Sequence, residues 1–123
     1  MEVIMKKKDI TQMAFRDLYP LYVKKVERKG HSQSEVNQII YWLTGYNDQT
    51  LLEQIQSGAS LASFFQNAPH INENTTLIRG SICGIRVENI QDPLIQEIRY
   101  LDKLIDELAH NKAMEHILRS EIS

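Results

Sequence analysis

Apolar residues recur at helical spacing along most of the chain, and the clearest run follows Asp92-Pro93. Aspartate is favourable at a helix N-cap, and proline is favourable at the first helical position after it. The apolar positions that follow lie three or four residues apart: Leu94, Ile98, Leu101, Ile105 and Leu108. This spacing predicts an amphipathic central helix over residues 93–109, with Leu101 buried in the middle of its apolar stripe. Ion-pair spacings on its polar side join Arg99 to Asp102 and Lys103 to Glu107.

Shorter helices are predicted on both sides of this one. Ser32 and Glu35 form a capping box ahead of a helix over residues 33–43, and Gly45 is a natural C-terminal stop for it. Three more helices are expected: one capped by Asn47 or Asp48 and ended by Gly58, one capped by Ser60 and ended before Pro69, and a last one from Ala113 to Leu118.

The first helix is predicted to begin at Asp9, with Gln12 as the partner of a capping box, and to end at Gly30. Pro20 falls inside this segment. Proline has no N–H to donate and clashes with the preceding turn. We therefore expect Pro20 either to kink the helix or to start a second one.

The stretch from Ile71 to Ile90 has a mixed pattern. Asn74 could cap a helix that ends at Gly84, whereas residues 85–88 alternate like a strand. Because no partner strand is evident elsewhere, we expect an extended connector near 85–90 with two side chains in the core. The predicted fold is all-α: a flexible segment over 1–8, then a single compact domain of about five to seven helices over 9–123.

Composition and cysteine content indicate the cellular compartment of the protein. A chain of 123 residues with 42% hydrophobic residues can fill one core. Its one cysteine, Cys83, excludes an internal disulfide framework, and its apolar neighbours predict a buried thiol. The sequence shows neither a signal-peptide pattern nor an apolar run of about 20 residues that could span a membrane. We therefore expect a cytoplasmic protein that does not engage membranes.

Charge is spread unevenly along the chain. Residues 1–31 hold eight basic and four acidic side chains, and the remainder holds six basic and twelve acidic ones. Such a basic end can bind polyanions, but a solvated helix face is the commoner cause. The helices over 33–43 and 49–56 resemble a helix-turn-helix, yet the second contains no Lys or Arg to neutralise phosphates. We expect no nucleic-acid partner.

Catalytic and metal-binding motifs are not evident. The four histidines lack His-Glu-x-x-His spacing, the cysteine has no Cys-x-x-Cys partner, and no serine lies in a Gly-x-Ser-x-Gly turn. We assign no catalytic residue, no metal site and no cofactor.

Three arginines suggest the most specific hypothesis for a binding site, a site for an anion. Arg79, Arg86 and Arg99 fall within 21 residues of one another, and converging guanidinium groups could hold a carboxylate or phosphate. The alternative is that each arginine pairs with a local acid such as Glu88 or Asp102, as is common. The hypothetical anion site comprises Arg79, Arg86, Arg99, Tyr100, Asp102 and Trp42.

Several sequence blocks resemble a known family. They are Tyr19-Pro20-Leu21-Tyr22-Val23, Glu27-Arg28-Lys29-Gly30, Ile40-Tyr41-Trp42-Leu43-Thr44-Gly45-Tyr46, Phe64-Phe65-x-x-Ala68-Pro69, Cys83-Gly84-x-Arg86-Val87-Glu88 and the run from Asp92 to Leu104. In this order they are similar to the bacterial domain-of-unknown-function family number two thousand two hundred. The resemblance implies a stand-alone bacterial protein, and the family supplies no activity, substrate, cofactor or site residue.

Two hypotheses for function follow from the sequence. The first is an interaction module without chemistry of its own, which binds an unknown protein or a second copy of itself. The second is a small enzyme or ligand-binding domain that holds a small anionic ligand at the arginines. A cleft with two convergent arginines and an unpaired carboxylate would favour the second, and an exposed apolar patch would favour the first.

Overall fold

The computed structural model describes residues 10–119, and helices dominate that part of the chain. Six α-helices are present there: α1 (Phe15–Glu27), α2 (Gln33–Thr44), α3 (Asp48–Ser57), α4 (Leu61–Gln66), α5 (Pro93–Ala109) and α6 (Met114–Ile117). A short hairpin pairs β1 (Ser81–Ile82) with β2 (Ile85–Arg86). Three 3-10 helices join these elements: Ile10–Gln12, Glu73–Leu77 and Val87–Asn89. The mostly helical single domain that the sequence predicts is confirmed. No helix within residues 10–119 is long and apolar enough to cross a membrane.

Helix α5 lies at the centre of the core, as its periodicity predicts. It packs against α1, α2, α4 and α6 and against the hairpin. Leu101 is fully buried, and Asp92 caps the helix by accepting hydrogen bonds from the N–H groups of Leu94 and Ile95. The predicted ion pair between Lys103 and Glu107 is wrong. Lys103 Nζ donates instead to the Ser81 carbonyl at 3.1 Å, and the Glu107 side chain is buried.

Predicted caps fix the directions of α2 and α3. Ser32 and Glu35 form the expected capping box, and Asn47, rather than Asp48, caps α3 in a reciprocal box with Thr50. Gly45 lies between the two helices at a φ of 81°, in the left-handed region where a side chain is strained. A Cβ added there would lie 3.0 Å from the His70 backbone nitrogen. The sharp turn therefore brings α3 beside the last turn of α2.

Helix α1 begins later than the sequence predicts. Met13 and Ala14 are extended because they pair with the α3–α4 linker: Phe15 N–H donates to the Ala59 carbonyl, and Leu61 N–H donates to the Met13 carbonyl. The helix is continuous through Pro20 and does not restart there. Pro20 is exposed, so solvent can hydrogen-bond to the carbonyl that proline leaves free. The predicted Asp9 cap and the segment 1–8 lie outside the described residues.

The mixed segment contains a hairpin rather than an unpartnered connector. Cys83 and Gly84 form its two-residue turn, with φ angles of 54° and 80°. Positive φ at both turn residues matches the twist of a tight hairpin, so the partner of the strand-like stretch is the pair of residues just before the turn. The predictions of no partner strand and of a buried Cys83 are both wrong, because the turn holds Cys83 exposed. Asn72, not Asn74, caps the preceding 3-10 helix.

Candidate functional site

Three adjoining depressions form a groove along α1, α2 and α3, which we name the α1–α3 groove. The first, of about 500 Å³, has a polar lining of Gln33, Ser34, Asn37, Gln38, Tyr41 and Asp48. The second, of about 330 Å³, continues along α1 and is lined by Tyr19, Pro20, Val23, Lys24, Glu27 and Gln33. The third, of about 220 Å³, shares Tyr19 and Tyr41 and adds Leu51, Leu52 and Ile55 of α3.

Helical spacing explains why polar groups line this groove. Gln33, Asn37 and Tyr41 lie four residues apart on α2, so they share one face of that helix. The opposite face of α2 is the apolar one, and it is buried in the core. Asp48 opens α3, and the turn at Gly45 brings it beside Tyr41. The groove is therefore the polar face of α2, flanked by its two neighbouring helices.

A chain of hydrogen bonds orients the two amides at the middle of the groove. Gln33 Nε2 donates to the Tyr19 hydroxyl at 2.8 Å, and that hydroxyl donates to Asn37 Oδ1. Neither amide makes another side-chain hydrogen bond within residues 10–119. Gln33 Oε1 is therefore a free acceptor, and Asn37 Nδ2 is a free donor. The groove presents one group of each kind, held in place by the Tyr19 hydroxyl.

A carboxylate lies at the α2–α3 end of the groove. The Tyr41 hydroxyl donates to Asp48 Oδ1, and burial together with this bond raises the pKa of Tyr41 to about 12. Asp48 itself is exposed and has no basic side chain within ion-pair distance among the described residues. It contributes a negative charge that this part of the protein does not neutralise.

Two arginines of the hypothetical anion site pair with local acids. Arg86 is largely exposed and pairs with Glu88 at 2.8 Å, and Arg99 pairs with Asp102 at 2.8 Å. Arg79 is exposed, and none of the three lines the α1–α3 groove. These are the local acid pairs that the sequence offers as the alternative to an anion site.

Asp102 has a second partner that the sequence analysis missed. The buried Tyr22 hydroxyl of α1 donates to Asp102. Burial is the larger cause, and the charge of Asp102 the next, that raises the pKa of Tyr22 well above its usual value. One turn further along, Lys25 pairs with Asp106 at 3.1 Å, so the two contacts join α1 to α5. Tyr22 and Asp102 are 80 residues apart, and no local sequence signal links them.

Trp42 and Tyr100 occupy the core boundary. Trp42 is partly buried and packs against the core, and Tyr100 is buried. Burial and the nearby Glu97 raise the pKa of Tyr100. Within residues 10–119 no cluster of three or more His, Cys, Asp or Glu side chains could hold a metal ion.

Glu88 predicts a measurable dependence of stability on pH. The Gly80 N–H donates to its carboxylate at 3.0 Å, and this bond, with help from Arg86, lowers the pKa of Glu88 to about 2. A lowered pKa stabilises the fold fully above the ordinary value of 4.5, and the contribution is lost as pH falls through about 2. Urea unfolding across this range should show a smaller acid-induced loss in Glu88→Gln than in the wild type. Equal losses would contradict the assignment.

The groove residues gave no signal that sequence reasoning could use. Exposed glutamines and asparagines four residues apart on an amphipathic helix are typical of a solvated surface. Only the packing of α1 against α2 turns that surface into a lining, because it brings Tyr19 within hydrogen-bond reach of Gln33 and Asn37.

Comparison with known proteins gives a family and a close structural relative. A family model described as "Uncharacterized protein conserved in bacteria (DUF2200)" matches residues 9–119. The crystal structure of the uncharacterized protein SP1917 is 39% identical, with a TM-score of 0.86, and the match covers 98% of each chain. No curated protein matches the chain.

Proposed function

Since the chain belongs to the bacterial family DUF2200, whose description assigns no activity, we propose that it is an interaction module. In this proposal the α1–α3 groove binds an extended polypeptide segment of a partner protein. The family assignment agrees with the resemblance of the sequence blocks. The function rests on the groove itself.

The free acceptor and the free donor in the groove carry this proposal. An extended polypeptide offers one N–H and one C=O per residue, and both need partners when they are taken out of water. Gln33 Oε1 can accept from such an N–H, and Asn37 Nδ2 can donate to such a C=O. Because the Tyr19 hydroxyl already holds both amides, little side-chain entropy is lost on binding.

Apolar side chains on both sides of the amides support a peptide rather than a small polar ligand. Pro20 and Val23 of α1 line one side, and Leu52 and Ile55 of α3 line another. Leu52 is 50% exposed, so its side chain is accessible to such a segment. Side chains of an extended segment alternate in direction, so some can contact these walls while the backbone meets the amides.

The hypothesis of a small-anion site gains no comparable support. Arg86 and Arg99 each bind an acid of their own. A ligand anion would have to displace these carboxylates, and the ion pairs therefore favour a structural role for both arginines.

Selection of peptides on the immobilised full chain tests the proposal. The probe is a phage-displayed library of random dodecapeptides, and Kd values of selected peptides are measured by calorimetry. Asn37→Leu is similar in shape and removes the donor without adding a charge, so we expect it to weaken binding about tenfold or more, the cost of an unmatched carbonyl of about 1–3 kcal/mol. Asn89→Leu makes the same change at an exposed position outside the groove and should leave Kd within about twofold. Equal affinities for the wild type and Asn37→Leu, or a library that yields no binder, would refute the proposal.

A further inference from the structure

One end of the α1–α3 groove carries a single charge that no described residue compensates. Among the side chains that line the 500 Å³ depression, Asp48 is the only carboxylate, and no Lys, Arg or His lies among them. By contrast, Asp102 and Asp106 of α5 have basic partners: Asp102 pairs with Arg99, and Asp106 pairs with Lys25. The charge of Asp48 is therefore available to a ligand.

The carboxylate of Asp48 is not needed to cap its helix. Asn47 already caps α3, and Thr50 completes that capping box. An acid in the first turn interacts favourably with the helix dipole, but this effect does not require a particular side-chain direction. In this protein the direction is set by Tyr41, whose hydroxyl donates to Asp48 Oδ1. The second oxygen, Oδ2, makes no hydrogen bond within the described residues and can accept one from a ligand.

Tyr41 and Asp48 together suit a cationic group. An ammonium or guanidinium can donate to a carboxylate and can also be attracted to the face of a phenol ring. The amides that line the rest of this depression are uncharged, so they add no repulsion. The other end of the groove has both Lys24 and Glu27, which gives it no net preference for either sign.

We propose that Asp48, positioned by Tyr41, selects polypeptide segments that carry a lysine or arginine at the α2–α3 end of the groove. This inference rests on the peptide-binding function proposed above and adds the chemical class of the partner segment. A basic side chain contacts Asp48 while the adjacent peptide backbone meets Asn37 and Gln33.

The test uses the same dodecapeptide library and three variants of the full chain. Peptides selected on the wild type should be enriched in Lys or Arg at one position. Asp48→Asn retains the bond from Tyr41 and the Tyr41 ring but removes the charge, so it should weaken those peptides about threefold to fivefold, the size of one exposed charge contact. Asp48→Lys should instead favour peptides in which that basic residue is replaced by glutamate. Asp17→Asn removes an exposed α1 charge outside the groove lining and should have no effect on Kd beyond about twofold.

The outcomes separate this inference from the function on which it rests. Peptides that need Asn37 but bind Asp48→Asn as tightly as the wild type would overturn the charge selection and leave the groove as a peptide site. Peptides that ignore both Asn37 and Asp48 would overturn both proposals. Affinity that falls in Asp48→Asn and moves to glutamate-containing peptides in Asp48→Lys would establish the selection.

Discussion

Replacing Leu101 with alanine is expected to lower the free energy of unfolding by about 2–5 kcal/mol. Leu101 is fully buried in the middle of α5, between the buried residues Ile98 and Ile105. Several helices pack against α5, and the substitution leaves a cavity that they can close only in part. Urea unfolding monitored by circular dichroism measures the loss.

Leu21→Ala is the matched control for this substitution. Leu21 is also on a helix, but 55% of it is exposed, so the same deletion should cost less than about 1 kcal/mol. Losses of similar size at the two positions would show that α5 is not the centre of the core.

Replacing Glu107 with alanine should cost about 3–5 kcal/mol, the usual result of removing one partner from a buried ion pair. Glu107 is 7% exposed and receives two hydrogen bonds from Arg119, at 2.6 and 3.1 Å. Lys112 lies 3.3 Å away. The variant leaves the Arg119 guanidinium in a mostly buried position without its carboxylate, although the carbonyls of His116 and Ile117 remain as partners.

Hydrogen exchange adds a local test of the same contact. Because Arg119 follows α6 and Glu107 belongs to α5, this ion pair links the last helix to the central helix. Glu107→Ala should accelerate amide exchange over Met114–Ile117 more than elsewhere. Glu53→Ala, at an exposed position on α3, should change neither stability by more than about 0.5 kcal/mol nor exchange in α6. A loss below about 1 kcal/mol in Glu107→Ala would show that the pair stabilises the fold no more than an exposed surface ion pair does.

Features decided by local interactions were predictable from the sequence. The caps at Ser32 and Asp92 and the buried position of Leu101 follow from residue types a few positions apart. The late start of α1 does not, because it depends on pairing between Met13 and Leu61 across nearly fifty residues. The hairpin was missed for a different reason: its turn places Cys83 at positive φ, where glycine, asparagine or aspartate is the usual signal.

At the candidate site, too, local contacts were predictable from the sequence and long-range contacts were not. The spacing of Arg99 and Asp102 made a local ion pair foreseeable, and the structure contains it. The groove was not foreseeable, because its geometry depends on Tyr19 of α1 meeting Asn37 of α2, 18 residues away. An amide pattern on one helix carries no information about which hydroxyl will orient it.

Intermolecular nuclear Overhauser effects can show whether the α1–α3 groove binds polypeptide. The sample is the full chain, labelled with nitrogen-15, bound to an unlabelled peptide selected from the library. We expect contacts from the side-chain NH2 protons of Asn37 to backbone protons of the peptide, because Asn37 Nδ2 is the free donor in the groove. Contacts confined to another face of the protein, with the Asn37 side-chain signals unchanged on binding, would contradict it.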